Sequence, residues 1–120
     1  MTRAFEGSLS GDIVTRLRAH WPEADPIVEC VDGDPDALRF VRVRVGDQVY
    51  LDAAPGKFNW SARPMKETSG QISPVAASRA YGIGVKTADG ADAIADRFYE
   101  ELRFWWAKLH PPGIDATQSA

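Results

Sequence analysis

Between Ala91 and Leu109 apolar side chains recur at alternating spacings of four and three: Ala91, Ala95, Phe98, Leu102, Trp105 and Leu109, with Ile94 beside them. An α-helix turns once in about 3.6 residues, so this spacing gathers them on a single stripe. Asp89 is placed to cap the start, and Asp92 meets the positive end of the dipole. Lys108 and His110 suit the negative end, and Pro111-Pro112-Gly113 stops the helix. At about 1.5 Å per residue the helix runs roughly 30 Å, the width of a small domain. A stripe of that length has to be covered, and the rest of the chain must supply the cover.

Residues 41–62 supply it as a sheet. Val41, Val43 and Val45 alternate with Arg42 and Arg44, the period of a strand with one dry face, inside a strand predicted over 38–45. Leu38 and Phe40 fall on the opposite parity, so either a β-bulge lies near Phe40 and Val41 or the strand's first half is covered on its other face. Beyond Gly46-Asp47-Gln48, Val49, Leu51 and Ala53 alternate with Tyr50 and Asp52. A three-residue loop sets Val45, Val43 and Val41 opposite Val49, Leu51 and Ala53. It also pairs Arg42 with Asp52 and Arg44 with Tyr50 on the outer face, where exposed pairs contribute about 0.2–1 kcal/mol each. Ala54-Pro55-Gly56-Lys57 has the Pro-Gly of a type II turn. A four-residue loop there sets Ala53 opposite Phe58 and Leu51 opposite Trp60.

Upstream, Leu9, Ile13, Val14, Leu17 and Trp21 form the apolar face of a first helix over 9–21, capped by Ser8 or Ser10 and closed by Pro22. His20, near its C-terminal end, reads as a solvated capping cation. Residues 27–31 read as a short strand. The aspartates of 32–36 read as a turn, because Ala37 and Val43 replace the glycine and glutamate of a calcium loop. Residues 63–72 show no periodicity and read as an exposed loop, with Arg63, Met65, Lys66 and Glu67 as candidate functional side chains. Ser73-Pro74 opens a short helix over 75–81, and 83–86 form one more strand. Residues 1–7 read as a flexible N-terminal arm, 8–110 as one domain and 111–120 as a flexible tail. The expected fold is α+β: a three- to four-stranded antiparallel meander packed on one face by the long C-terminal helix and the N-terminal helix. In layout alone, the order helix, meander, long helix resembles small secretion-chaperone-like and other adaptor domains.

The 120 residues suffice for one domain, and 44% hydrophobic with 26% charged residues is the balance of an ordinary globular chain. No apolar run approaches the ~18 residues of a membrane span. The stretch Met1 to Gly7 lacks the apolar core of a signal peptide, and the lone Cys30, set in an apolar strand pattern, reads as a buried inert thiol. Together these predict a cytoplasmic protein. A net charge of −3 argues against nucleic-acid binding by bulk charge.

Motifs that carry chemistry are missing. His20 and His110 stand ninety positions apart, no Gly-x-Ser-x-Gly elbow or phosphate loop occurs, and Gly82-Ile83-Gly84 lacks a third glycine. Glu100 and Glu101 point about 100° apart on a helix, so they read as a solvated face rather than a dyad sharing a proton. No catalytic residue, metal or cofactor is expected. Two surface features remain. Arg39, Arg42 and Arg44 with Tyr50 form a basic row able to hold a phosphate backbone or stack a base, which makes a weak nucleic-acid binder the third reading. Tyr99 and Trp106 lie at the edge of the long helix's stripe and Phe104 well off it, which marks an interface. The sequence therefore points to a small non-enzymatic protein-interaction module (an adaptor, chaperone-like or regulatory subunit) that binds another protein or a second copy and no membrane. The alternative is a small-ligand-binding or accessory enzyme domain with its site on the 63–72 loop.

Overall fold

The computed structural model describes residues 7–111, so the arm expected at 1–7 and the tail expected at 111–120 lie, apart from Gly7 and Pro111, outside the described residues. Helix α1 spans Leu9–His20. Ser8 caps it from extended backbone, its hydroxyl accepting the Gly11 N–H at 3.1 Å. Six antiparallel strands follow among the described residues: β1 Ile27–Cys30, β2 Leu38–Gly46, β3 Val49–Ala54, β4 Ser61–Thr68, β5 Gln71–Pro74 and β6 Tyr81–Gly82. The sheet runs in the order β1-β2-β3-β4-β5 and curls into a half-barrel, with β6 paired to β4 as well. Helix α2, Ala91–Leu109, is the last element among the described residues and has the bounds that its periodicity predicts. Asp89 does not cap it. Gly90 holds the N-cap position at φ 97, and Asp89 instead closes a 3₁₀ turn, Thr87–Asp89, by accepting the Lys86 N–H at 2.9 Å.

Both helices pack on one face of the sheet, as the alternation of valines requires. Val41, Val43, Leu51, Ala53 and Ala62 meet Phe98 and Leu102 of α2 and Ile13 and Leu17 of α1, all of them enclosed. Trp105 is only half-buried. Trp60 is enclosed too, and its indole Nε1 donates to Thr87 Oγ1 at 2.9 Å.

The β2–β3 register is the expected one from Arg44 back: Arg42 faces Asp52, Val43 faces Leu51 and Arg44 faces Tyr50. The tip differs. Gly46 pairs with Val49 across Asp47-Gln48, Gln48 takes a left-handed φ of 60, and a bulge at Val45 restores the phase. The parity slip upstream is also a bulge: Glu29 pairs with Phe40 and Cys30 with Leu38, so Arg39 is the extra residue.

Downstream of Ala54 the expectations need correction. Ala53 pairs with Ala62 and Leu51 with Pro64, a shift of four residues from the predicted partners Phe58 and Trp60. An even shift keeps the same side chains facing inward, so the dry face survives while Phe58 swings out, 73% exposed. Residues 63–72 are no loop. Arg63 to Thr68 belong to β4, and a turn at Ser69-Gly70 leads into β5. Pro64 is tolerated mid-strand because its carbonyl accepts the Val75 N–H at 3.1 Å, which turns its missing donor toward that edge and not toward β3. No helix forms over 75–81; the segment is a turn followed by β6. Ile83 and Val85 bracket Trp60 instead, through Ile83 N–H to Trp60 O at 2.9 Å and Trp60 N–H to Val85 O at 2.7 Å. Cys30 is half-buried rather than enclosed.

Candidate functional site

Helix α1 ends where the second half of α2 passes it. Trp21 is the C-cap, its N–H bonded to Leu17 O at 2.9 Å, and Pro22 then turns the chain away. This sets the Trp21 ring edge-on to Trp106, with centroids 5.2 Å apart and planes at 77°. His110 lies flat against Trp106 at 3.8 Å, while its N–H closes α2 onto the Trp106 carbonyl at 2.8 Å. Two turns earlier Tyr99 stacks on His20 at 4.7 Å, and the Arg103 guanidinium sits 5.9 Å above the Tyr99 ring.

The three interface candidates therefore come together on one surface. Phe104 is 57% exposed and Trp106 43%, while Tyr99 is half-buried under His20. They border an open groove of about 660 Å³ between the helix ends, floored by Leu102 and walled by Trp21, with Glu23, Glu100 and Arg103 on its rim. A second groove, about 580 Å³, lies on the other side of the Trp21–Trp106 pair and reaches Ile27 and Tyr50 on the sheet. The sequence pointed to Phe104, Trp106 and Tyr99 but missed Trp21 and Glu23. Their signal was an indole set directly before Pro22, at a helix end where no stripe continues.

Of the other candidates, the arginines of β2 and Tyr50 are held by neighbours, whereas Arg63 keeps a buried Nε without a hydrogen-bond partner among the described residues. Arg39 pairs with Glu29 at 2.9 Å. Arg42 grips Asp52 through two bonds of 2.7 and 2.9 Å with the Phe40 ring 4.5 Å from its guanidinium. Arg44 donates to the Gly46 carbonyl at 3.1 Å and reaches Asp47 at 3.5 Å. Tyr50 donates to Glu67 at 2.8 Å, which raises the phenol pKa above its usual value. Arg63 faces Asp52 across the β3–β4 ladder, Met65 is buried, and Lys66 is exposed. The basic row thus shares one sheet face with Arg63, Met65 and Glu67 of β4, its own arginines paired, while Lys66 lies on the other face opposite Val49.

Helix α2 carries two further clusters. His20 is not a free cap: its Nε2 lies 2.6 Å from Asp96 Oδ1, and Arg16 binds the same carboxylate at 2.9 and 3.2 Å. Glu101 is not solvated either. It pairs with Arg97 at 2.8 Å and accepts the Tyr81 hydroxyl at 2.8 Å, and that hydroxyl in turn accepts from Trp105 Nε1 at 2.9 Å. Burial, aided by Glu101, pushes the Tyr81 phenol up to about 12, so it stays protonated and acts as a structural link.

Comparison with family models, curated proteins and solved structures finds no match to this chain. The chemistry must be read from the residues themselves. Among the described residues no group of three or more His, Cys, Asp or Glu is placed to hold a metal ion, and no helix is long and apolar enough to cross a membrane. No Ser, Thr or Cys side chain hydrogen-bonds His20 among the described residues. What the surface does offer is aromatic area, a concavity and a few charges.

Proposed function

We propose that this domain is a non-enzymatic protein-interaction module whose docking surface is the groove between the ends of α1 and α2. The observation that carries the reading is the cluster of Phe104, Trp106 and Trp21 at the rim of a groove they do not fill. Each large apolar side chain left in water forgoes roughly 1.5–3 kcal/mol of burial, and aromatic anchors of this kind carry most of the binding energy at protein interfaces. Groups that would support an enzymatic reading are spent on holding the fold: Asp96, Glu101 and Asp52 are each bound by side chains from the same domain. The same holds for the arginines of β2, which weakens the nucleic-acid reading.

A photoreactive side chain tests the surface. Phe104→p-benzoylphenylalanine in the source cells is expected to yield protein adducts on irradiation, and Trp106→Ala in the same chain to abolish them. Phe58→p-benzoylphenylalanine, at an exposed ring outside the groove lining, serves as the control. Position 104 giving no more adduct than position 58 would overturn the reading.

A further inference from the structure

The groove carries two charges that no other described residue pairs with. Glu23 has no ion pair or hydrogen bond among the described residues, and Arg103 has only the Tyr99 ring beneath it. They are of opposite sign, both exposed, both on the rim of the same groove, and not bonded to each other. Beside them Phe104 projects as a knob at the edge of a hollow that it leaves open. A partner of one charge sign satisfies one of the two groups and leaves the other desolvated and alone, which is costly at an interface. A surface that holds both a knob and a hollow, and both a free cation and a free anion, is complementary to itself. Self-complementarity is what a two-fold symmetric contact requires, because each residue of one copy meets its counterpart's neighbour twice over.

We infer that the occupant of this groove is a second copy of the same chain. This rests on the docking reading above and names its partner. In the dimer the α2 helices cross antiparallel near their C-terminal halves. Each Phe104 enters the hollow beside Trp21 and Trp106 of the other copy, and each Arg103 meets the other copy's Glu23. The contact comprises one helix face and one helix end, the small end of the range for specific interfaces, so association falls in the micromolar range at about neutral pH.

Sedimentation equilibrium of the full chain tests it. Wild type is expected to dimerise reversibly. Arg103→Glu and Glu23→Arg are each expected to weaken the dimer by about tenfold or more, with circular dichroism unchanged, and melting unchanged at concentrations well below the dissociation constant, because both side chains are exposed. The double reversal, Glu23→Arg with Arg103→Glu, restores the pair with its signs exchanged and is expected to return the dissociation constant to within about threefold of wild type. A wild type that stays monomeric up to roughly 500 µM, or a double variant no tighter than either single one, would overturn the inference. The photo-adduct at position 104 separates the two ideas. An adduct of twice the chain mass supports the second copy. Adducts with a different protein alone overturn this inference and leave the docking surface standing, and no protein adduct overturns both.

Discussion

Ala77 sits in the left-handed region at φ 63, in the turn that the Ser78 N–H closes onto the Val75 carbonyl at 2.9 Å. A β-carbon there costs about 1 kcal/mol or more, whereas glycine takes the same conformation freely. Ala77→Gly is therefore expected to stabilise the domain by up to about 1 kcal/mol, seen as a higher urea midpoint with the same slope; a lower midpoint would refute the strain. Asp52 tests a different balance. It and Arg42 are only 12% and 15% exposed as side chains, so this is not the solvent-facing pair that the alternation of β2 and β3 predicts. Asp52→Ala leaves a sheltered guanidinium uncompensated and is expected to cost roughly 3 kcal/mol, where an exposed pair would cost under about 1. A small loss by chemical denaturation would show that water reaches the pair. Strand parity alone makes the two residues face each other, and that much is legible. Their dryness is not, because part of the cover comes from Phe40, which lies across the bulge at Arg39.

Helix α2 was legible to the residue because its information is local: apolar side chains at helical spacing, then two prolines. The β3–β4 hairpin was not. Pro55-Gly56 reads as a complete turn, yet the chain runs on through residues 55–60 before pairing resumes. What pulls Trp60 out of the ladder with β3 is the segment 83–87, far along the chain, whose carbonyl and hydroxyl groups bind its backbone and indole. Residues 63–68 show no alternation because their two buried side chains, Pro64 and Met65, are adjacent and so lie on opposite faces, while Lys66 and Thr68 are exposed. The candidate site divides the same way. Phe104 betrays itself by lying off the helical stripe, whereas Trp21 and Glu23 join it only through the packing of α1 on α2. A pair of substitutions distinguishes the observed hairpin from the predicted one. Phe58→Ser should change stability by less than about 0.5 kcal/mol, since the ring is exposed. Trp60→Ala should cost roughly 3–5 kcal/mol. Comparable losses at both positions would restore the pairing of Phe58 with Ala53.

Across the whole molecule, α1 and α2 share the sheet's dry face, and Asp96 ties one to the other. The hydrogen bonds from Arg16 and then from His20 hold its carboxyl at about 2, below the ordinary 3.8. A carboxyl depressed on folding binds its proton more readily in the unfolded chain, so stability rises with pH across that interval. The contribution is whole above about pH 4 and is lost as pH falls through 2. It stays modest, because Arg16 and Asp96 are 42% and 41% exposed and solvent screens them. Asp96→Asn keeps the shape and removes the charge, so the variant behaves as a wild type already protonated at this position. In urea titrations at pH 5 wild type is expected to unfold at the higher midpoint, and added salt to narrow the gap. Between pH 4 and 2 the gap should shrink and then close, with α1 losing hydrogen-exchange protection in step. If instead the gap stays constant down to pH 2, the link between the helices is not electrostatic. The stacking of Tyr99 on His20 and of Trp21 against Trp106 would then have to hold α1 in place.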